Sequence, residues 1–204
     1  MDLALFDFDG TITTREVFPD FMYLAVSWPR LTVGKVLLAP LIVGYRLGWV
    51  SGSTVRAAIV RFGFSGTSLQ SLQTHGTVFA ETFLPGVIRP GALERIAWHK
   101  ARGDTVVVVS GALDVYLDHW CKAHDLELIC SALEHRDGRL TGRYLGAQCV
   151  RREKARLVRE RYDLSAYSRI HAYGDTPEDH ELLAIAHERY YRWQLMAGPP
   201  HAVP

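Results

Sequence analysis

The start of the chain carries its most constraining feature, an apolar strand that ends in two carboxylates. The run Leu3–Phe6 is entirely apolar, and Asp7, Asp9 and Gly10 follow it closely. Because alternate residues of an extended strand point the same way, Asp7 and Asp9 face one small volume at the strand's carboxyl end. Two carboxylates so close repel each other unless a cation or a shared proton intervenes. The stretch is either a divalent-metal site with a carboxylate free to attack, or a solvated turn rich in Asp and Gly.

Length and composition fit one globular domain, or a core domain with a modest insertion. The chain has 204 residues, 48% of them hydrophobic and 22% charged, which is enough apolar sequence for a buried core. Its formal net charge of +1 offers no general field for nucleic acid, so no such partner is expected. The three cysteines form no CxxC pair, which indicates a reducing compartment and a cytoplasmic location.

Apolar periodicity divides the chain into a helical insertion and an alternating part. Residues 2–8 are predicted as the first strand, and apolar residues recur at helical spacing from about residue 14 to residue 85. Further strands are expected at 105–110, 126–131, 169–173 and 189–193. Helices are expected at 90–102, 113–123, 149–162 and 177–186, a hairpin at 132–144, and a frayed tail from Met196. The alternation predicts an α/β fold whose parallel sheet is covered on both faces, with a core of residues 1–13 and 86–204 and an all-helical insertion of residues 14–85.

Three predicted strands end in polar residues at the edge where parallel sheets bind ligands. These strands end at Asp7 and Asp9, at Ser110 and Gly111, and at Asp175. A hydroxyl and backbone N–H groups at a helix start can bind phosphate, although an ordinary Ser cap is the alternative for Ser110. The carboxylates of Asp7 and Asp175, with the backbone carbonyl of Asp9, can hold Mg²⁺.

A basic helix supplies the candidate cation. Residues 151–161 include six Lys or Arg and two Glu, a pattern that usually marks a solvated face. Lys154 shares a face with apolar residues such as Leu157, so we expect its ammonium to point inward and neutralise Asp7 and phosphoryl oxygens. Asp179 is expected to orient Lys154 or to hold a metal-bound water, and an acidic helix cap is the alternative.

These residue types suit phosphoryl transfer. Attack of the Asp7 carboxylate on phosphorus forms an acyl phosphate, which divides one difficult displacement into two easier ones. Asp9 is placed to protonate the leaving alkoxide and later to activate water. An isolated carboxyl group does not hold a proton at neutral pH, and we expect the neighbouring charge of Asp7 to raise the pKa of Asp9.

The order of these residues resembles the four motifs of the haloacid dehalogenase superfamily, phosphatase branch. The matching positions are Asp7-Phe8-Asp9-Gly10-Thr11, Ser110, Lys154, and Gly174-Asp175 with Asp179. The resemblance covers nearly the whole chain and is nearest to phosphoserine phosphatases. It implies a three-layer Rossmann-like core, a helical cap inserted after the first strand, Mg²⁺ as cofactor and phosphomonoester hydrolysis through an aspartyl phosphate. Gly10 and Thr11 then contact the phosphate by backbone and hydroxyl groups.

The resemblance also implies substrate-selecting residues in the cap. Glu16 lies nine residues after Asp7, where phosphoserine phosphatases carry a Glu that reads the substrate amine. Arg56 lies in the region of their carboxylate-reading Arg. The implied substrate is a small phosphorylated metabolite such as phosphoserine. Pro177-Glu178 departs from the neutral turn that serine-specific members have before the residue matching Asp179.

An apolar stretch at residues 33–50 leaves a second function open. It is similar to the hydrophobic insertion of bacterial phosphatidylglycerophosphatase relatives. Its charge-free run, residues 36–45, is too short to span a bilayer, and Pro40 is expected to break it into a helix pair. Packing between helices is favoured. The alternative is peripheral contact with the inner membrane by a lipid-phosphate phosphatase. A non-catalytic phosphate-binding module is a third reading, and the oligomeric state is not predicted.

Overall fold

A six-stranded sheet and a separate hairpin make up the β structure of residues 1–197, the part of the chain described by this computed structural model. The strands are β1 (Leu3–Phe6), β2 (Thr105–Leu113), β3 (Glu127–Ser131), β4 (Leu133–Arg136), β5 (Arg139–Tyr144), β6 (Ile170–Gly174), β7 (Glu188–Tyr191) and β8 (Gln194–Leu195). The helices are α1 (Phe18–Ala25), α2 (Trp28–Arg46), α3 (Gly52–Phe64), α4 (Leu69–Val78), α5 (Pro90–Ala101), α6 (Asp114–Ala123), α7 (Arg152–Arg161) and α8 (His180–Ala184). The sheet order is β3-β2-β1-β6-β7-β8, and its pairs are parallel except β7 with β8. The predicted α/β fold with a parallel sheet is confirmed.

Strand β1 lies inside the sheet and is buried on both faces. Leu3 and Leu5 belong to one hydrophobic cluster with residues of α7 and α8, whereas Ala4 and Phe6 belong to another with residues of α5 and α6. This division follows from the two-residue period of a strand. The result is three layers, with the residue after Phe6 emerging at the middle of the sheet's carboxyl edge.

The helices between β1 and α5 do not form a separate core. Buried residues of α1, α3 and α4 lie in the same cluster as α5 and α6. Tyr116 of α6 joins the two groups, because its ring centroid lies 4.8 Å from that of Phe21 and 5.3 Å from that of Phe79. Aromatic pairs at such distances add to the stability gained from burial. The division into a core and a cap at residues 13 and 86 stays a prediction.

The predicted hairpin is present and packs on the helical insertion. Its strands β4 and β5 are antiparallel. The N–H of Gly66 donates to the carbonyl of Leu140 at 2.8 Å, and the N–H of Leu140 donates to the carbonyl of Thr67 at 2.9 Å. Backbone bonds of this kind fix the end of α3 against an element that is about seventy residues away in the sequence.

Several element boundaries differ from the sequence predictions. Strand β2 runs on to Leu113 through a register shift after Ser110, so α6 begins one residue later than expected. Helix α7 begins at Arg152 rather than at residue 149, because Arg151 has a φ of +53° and interrupts helical backbone. Helix α8 ends at Ala184, short of residue 186. The frayed tail expected from Met196 falls mainly on residues 198–204, which lie outside the described residues.

One prediction for residues 33–50 is wrong, and another holds only in part. Pro40 lies inside the single helix α2 instead of dividing a helix pair. Pro40 has no N–H to donate to the carbonyl of Val36. Both residues are exposed, so water can hydrogen-bond to that carbonyl instead. Packing between helices holds for one side of the stretch, where Leu38, Leu41, Ile42 and Val50 are half-buried. Val36, Leu37, Val43 and Trp49 are exposed instead. Among residues 1–197, no helix is long and apolar enough to cross a membrane.

The contact between α4 and α6 gives a direct stability prediction. A Cβ at Gly76 would lie 1.8 Å from the backbone oxygen of Val115, whereas a Cβ at Gly91 of α5 would meet no atom within 4 Å. We expect Gly76→Ala to lower the free energy of unfolding by about 2 kcal/mol or more, because backbone cannot yield cheaply. Gly91→Ala, the matched control, should leave it unchanged or raise it by up to about 1 kcal/mol. Urea denaturation measures both, and equal stabilities of the two variants would contradict this packing.

Candidate active site

The carboxyl ends of three neighbouring strands bring the predicted acidic residues together. Phe6 pairs with Val108 on one side and with Tyr173 on the other. The next residue, Asp7, donates its N–H to the carbonyl of Tyr173 at 2.9 Å. Carboxylate oxygens of Asp7, Asp175 and Asp179 lie within 4.8 Å of one another. The sheet edge therefore concentrates negative charge at a single point.

Lys154 lies between two of these carboxylates. Its Nζ donates to Oδ1 of Asp7 and to Oδ1 of Asp179, each at 2.5 Å, and all three side chains are buried. Burial opposes the charged form of Lys154, but the two carboxylates outweigh it and raise the pKa of its ammonium. The lysine is thus a fixed positive charge, directed inward as the sequence predicts.

Asp7 and Asp179 differ in their surroundings. Burial and the charge of Asp179 raise the pKa of Asp7 well above its usual range, even though Lys154 lowers it. Burial also opposes ionisation of Asp179, but the Lys154 ammonium and backbone N–H groups outweigh it and lower its pKa. Its Oδ2 accepts from the N–H groups of Asp175 and Thr176, at 3.1 Å and 3.0 Å. Asp179 is therefore the carboxylate that anchors Lys154 in place.

Asp9 sits apart from that group of three carboxylates. Its Oδ1 accepts from the N–H of Val17 at 2.9 Å. Burial raises the pKa of Asp9 to about 7, with a further contribution from the charge of Glu16. The expected direction of this shift is correct, but the expected cause is not, because burial rather than the charge of Asp7 dominates. A carboxyl group with this pKa can gain and lose a proton near neutrality.

Gly10 and Thr11 support Asp175. Gly10 has a φ of +80°, and a Cβ there would lie 2.3 Å from Oδ2 of Asp175, so only glycine fits. Its N–H donates to the Thr13 hydroxyl at 3.0 Å. The Thr11 hydroxyl donates to Oδ1 of Asp175 at 2.9 Å, which engages it with a carboxylate instead of leaving it free for phosphate.

Ser110 and Gly111 lie on the neighbouring strand, at its irregular end. Ser110 is buried, and its Oγ accepts from the N–H of Ala112 at 3.2 Å. Both residues line the same cavity as Asp7 and Lys154. A hydroxyl in this position can still donate its proton to an anion in the cavity.

The cavity above these residues measures about 530 Å³ and also reaches the helical insertion. Besides the acidic residues and Lys154, its walls include Arg15, Glu16, Phe18, Tyr45, Gly52, Arg56, Arg89, Arg151 and Glu178. Both predicted selectivity residues therefore face the site. The exposed cations Arg15 and Arg151 were missed because they stand in no motif whose chemistry needs them.

Arg56 has partners that the sequence did not indicate. Its Nη2 donates to both carboxylate oxygens of Glu178, at 3.1 Å and 3.0 Å, and its Nε donates to Gln148 at 3.4 Å. The amide of Gln148 in turn donates to the carbonyl of Ser53 at 2.7 Å. Glu178 is distant from Arg56 in the sequence, and its only signal is that it replaces a neutral turn residue. This ion pair joins the insertion to the core across the cavity.

Removing the buried ammonium gives the prediction for this site. We expect Lys154→Met to lower the free energy of unfolding by about 3–5 kcal/mol, because Asp7 and Asp179 lose their common partner while staying buried. The control is Lys122→Met, which removes an exposed pair with Asp118 and should cost about 0.5 kcal/mol or less. Urea denaturation in chelator-treated buffer measures both values. A Lys154→Met protein as stable as the control would refute the central role of this ammonium.

Comparisons with known proteins show which family the chain resembles. Residues 4–184 match the family model of haloacid dehalogenase-like hydrolases. Protein CicA of Caulobacter vibrioides is 32% identical over an alignment that covers 97% of this chain and 88% of that protein.

Solved structures show the same fold. The crystal structure of a protein with unknown function from Bordetella pertussis Tohama I has a TM-score of 0.77 at 20% identity, covering 93% of this chain and 89% of that chain. A phospho-aspartyl intermediate analogue of phosphoserine phosphatase has a TM-score of 0.66 at 21% identity, covering 93% and 85%. The predicted Rossmann-like architecture is thus confirmed. Because the family model spans most of its length, the chain belongs to the haloacid dehalogenase-like hydrolase family.

Proposed function

We propose that the protein is a Mg²⁺-dependent phosphomonoester hydrolase that works through a phosphorylated Asp7. The observation that carries this proposal is the pairing of two unequal carboxyl groups at one cavity. Asp7 is buried and bonded to Lys154, whereas Asp9 has a pKa of about 7. The Lys154 ammonium on Asp7 stabilises an attacking carboxylate there, whereas Asp9 accepts from the N–H of Val17 and is left to carry a proton.

The reaction has two steps. In the first, a carboxylate oxygen of Asp7 forms a bond to phosphorus while the phosphorus–oxygen bond of the ester breaks, and Asp9 gives its proton to the departing alkoxide. In the second, water attacks phosphorus and gives its proton to Asp9, and the acyl phosphate bond breaks to release phosphate and restore Asp7. Lys154 and the hydroxyl of Ser110 stabilise charge on the phosphoryl oxygens.

The donor set fits a hard divalent cation. The oxygens of Asp7, Asp175 and Asp179 lie close together, and oxygen ligands are those that Mg²⁺ prefers. We assign Asp7, Asp175 and the backbone carbonyl of Asp9 as ligands. Asp179 accepts a hydrogen bond from Lys154 and holds that side chain in place. When bound, Mg²⁺ supplies charge that reduces the repulsion between the attacking carboxylate and the phosphate.

The substrate class that the resemblance implies, a small phosphorylated metabolite such as phosphoserine, stays a prediction. Glu16 lines the cavity and is available to an amine. Arg56 is engaged with Glu178, so reading a substrate carboxylate requires this ion pair to open. A panel of phosphoserine, histidinol phosphate, sugar phosphates and lysophospholipid phosphates ranks the candidates by kcat/KM.

The nucleophile and the proton carrier are tested by substitution. We expect Asp7→Asn to lower hydrolysis of p-nitrophenyl phosphate by about 10⁴-fold or more, as for other catalytic nucleophiles. Asp9→Asn should lower it by about 10²–10⁴-fold. Asp118→Asn, at an exposed carboxylate, is the matched control and should keep the wild-type rate. Wild-type activity in Asp7→Asn would exclude the mechanism, and absence of Mg²⁺-dependent turnover across the ester panel would favour a binding module.

Removal and return of the metal tests the ligand assignment. We expect a chelator to abolish hydrolysis and added Mg²⁺ to restore it. Asp175→Asn should raise the Mg²⁺ concentration for half-maximal activity by about tenfold or more, since one anionic ligand is lost. Asp125→Asn is the control, because that carboxylate is exposed and pairs with Lys100. An unchanged Mg²⁺ requirement in Asp175→Asn would remove this residue from the ligand set.

A further inference from the structure

Helix α2 exposes an apolar face to solvent. The relative exposures are 71% for Val36 and 63% for Leu37, and the flanking Trp28 and Trp49 reach 76% and 81%. Monomeric proteins seldom expose contiguous apolar surface of this kind unless it binds something. The face is therefore a candidate docking surface.

The exposed residues share one side of the helix. Val33, Val36, Leu37, Val43 and Leu47 recur at helical spacing and are all exposed. The opposite side packs on α3, where a Cβ at Gly34 would lie 2.7 Å from the ring of Phe62. We call the exposed residues, together with Trp28 and Trp49, the outer face of α2.

Charge selects the occupant of the outer face. From residue 21 to residue 80 the sequence has no Asp or Glu, and its Lys and Arg are Arg30, Lys35, Arg46, Arg56 and Arg61. Arg56 is paired with Glu178, and the exposed cations of α2 are Lys35 and Arg46. A second copy of this surface would bring like charges together, whereas an anionic surface would be attracted at about 1 kcal/mol per basic residue. An apolar face within a basic segment fits an anionic lipid bilayer.

The ends of the helix fit the depth of such an interface. Trp28 opens α2 and Trp49 follows it closely, and Trp is favoured where acyl chains meet headgroups. Lys35 and Arg46 are exposed, so their long side chains can reach phosphates while their stems stay apolar. Since α2 does not qualify as a membrane span, it would lie in the plane of the interface.

The C-terminal end of the helix that carries the outer face reaches the catalytic cavity. Tyr45, in the last turn of α2, and Gly52, at the start of α3, both line that cavity. A bilayer against α2 would thus lie beside the cavity that holds Asp7. We propose that the outer face of α2 docks on an anionic bilayer and that the substrate is a phosphomonoester carried by a lipid in that bilayer. This substrate class rests on the proposed function, whereas the docking does not.

Vesicle flotation tests the docking without any catalysis. We expect the wild-type protein to float with vesicles of phosphatidylcholine containing about one-third phosphatidylglycerol, and much less with phosphatidylcholine alone. The variant V36S/L37S/W49S should bind the anionic vesicles at least about tenfold more weakly, because it removes exposed apolar area that the bilayer would bury. The matched control is L145S/L195S, which changes two exposed leucines outside the helical insertion. It should bind like wild type.

Two enzymatic arms separate the substrate class from the proposed function. V36S/L37S/W49S should hydrolyse soluble p-nitrophenyl phosphate at the wild-type rate but phosphatidic acid in anionic vesicles about tenfold more slowly. The docking would be overturned if the wild-type protein floated no better than V36S/L37S/W49S. It would also be overturned if the wild-type protein were a dimer that this variant converts to a monomer. If the wild-type protein floats with anionic vesicles but does not hydrolyse phosphatidic acid in them, the proposed substrate class is overturned. If the wild-type protein does not hydrolyse p-nitrophenyl phosphate, the proposed function is overturned and the docking result is unaffected.

Discussion

The ammonium of Lys154, held between Asp7 and Asp179, is the interaction on which the site depends. Burying two carboxylates close together is costly, and a single buried cation bonded to both offsets much of that cost. The bonds fix one oxygen of each carboxylate. The backbone around β6 adds to this, because two N–H groups hold the other oxygen of Asp179. The site therefore holds the Lys154 ammonium and its two carboxylate partners in a defined geometry before any ligand binds.

This geometry rests on the packing of the whole chain. Asp7 is placed by the register of β1 between β2 and β6, and Lys154 is placed by α7 on one face of the sheet. The helical insertion joins the other face through Tyr116 and its aromatic neighbours, so the cavity wall is part of the same hydrophobic core. The Arg56–Glu178 pair crosses the cavity and is, among residues 1–197, the salt bridge that joins the insertion to the catalytic edge.

The sequence predicts what depends on local pattern and on strand ends. The carboxylates after β1, the inward direction of Lys154 and the parallel sheet all follow from periodicity and from the edge where such sheets bind ligands. The partner of Arg56 was not predictable, because pairing across the fold leaves no trace in spacing. Pro40 was misjudged because proline disfavours helix in general, whereas here the lost hydrogen bond lies on the solvent side. The pKa of Asp9 depends on burial, which only the folded chain defines.

Formation of a phosphoryl bond at Asp7 is the central claim, and chemical trapping tests it most directly. The Asp9→Asn variant is mixed with p-nitrophenyl phosphate, whose leaving group departs without a proton, so the phosphorylated form should accumulate before water attacks. Acid quenching and borohydride reduction convert an acyl phosphate at an aspartate to homoserine, which peptide mass spectrometry locates. We predict homoserine at position 7, dependent on substrate and Mg²⁺. Release of a burst of nitrophenolate with no reduction at position 7, or with reduction at another residue, would contradict it.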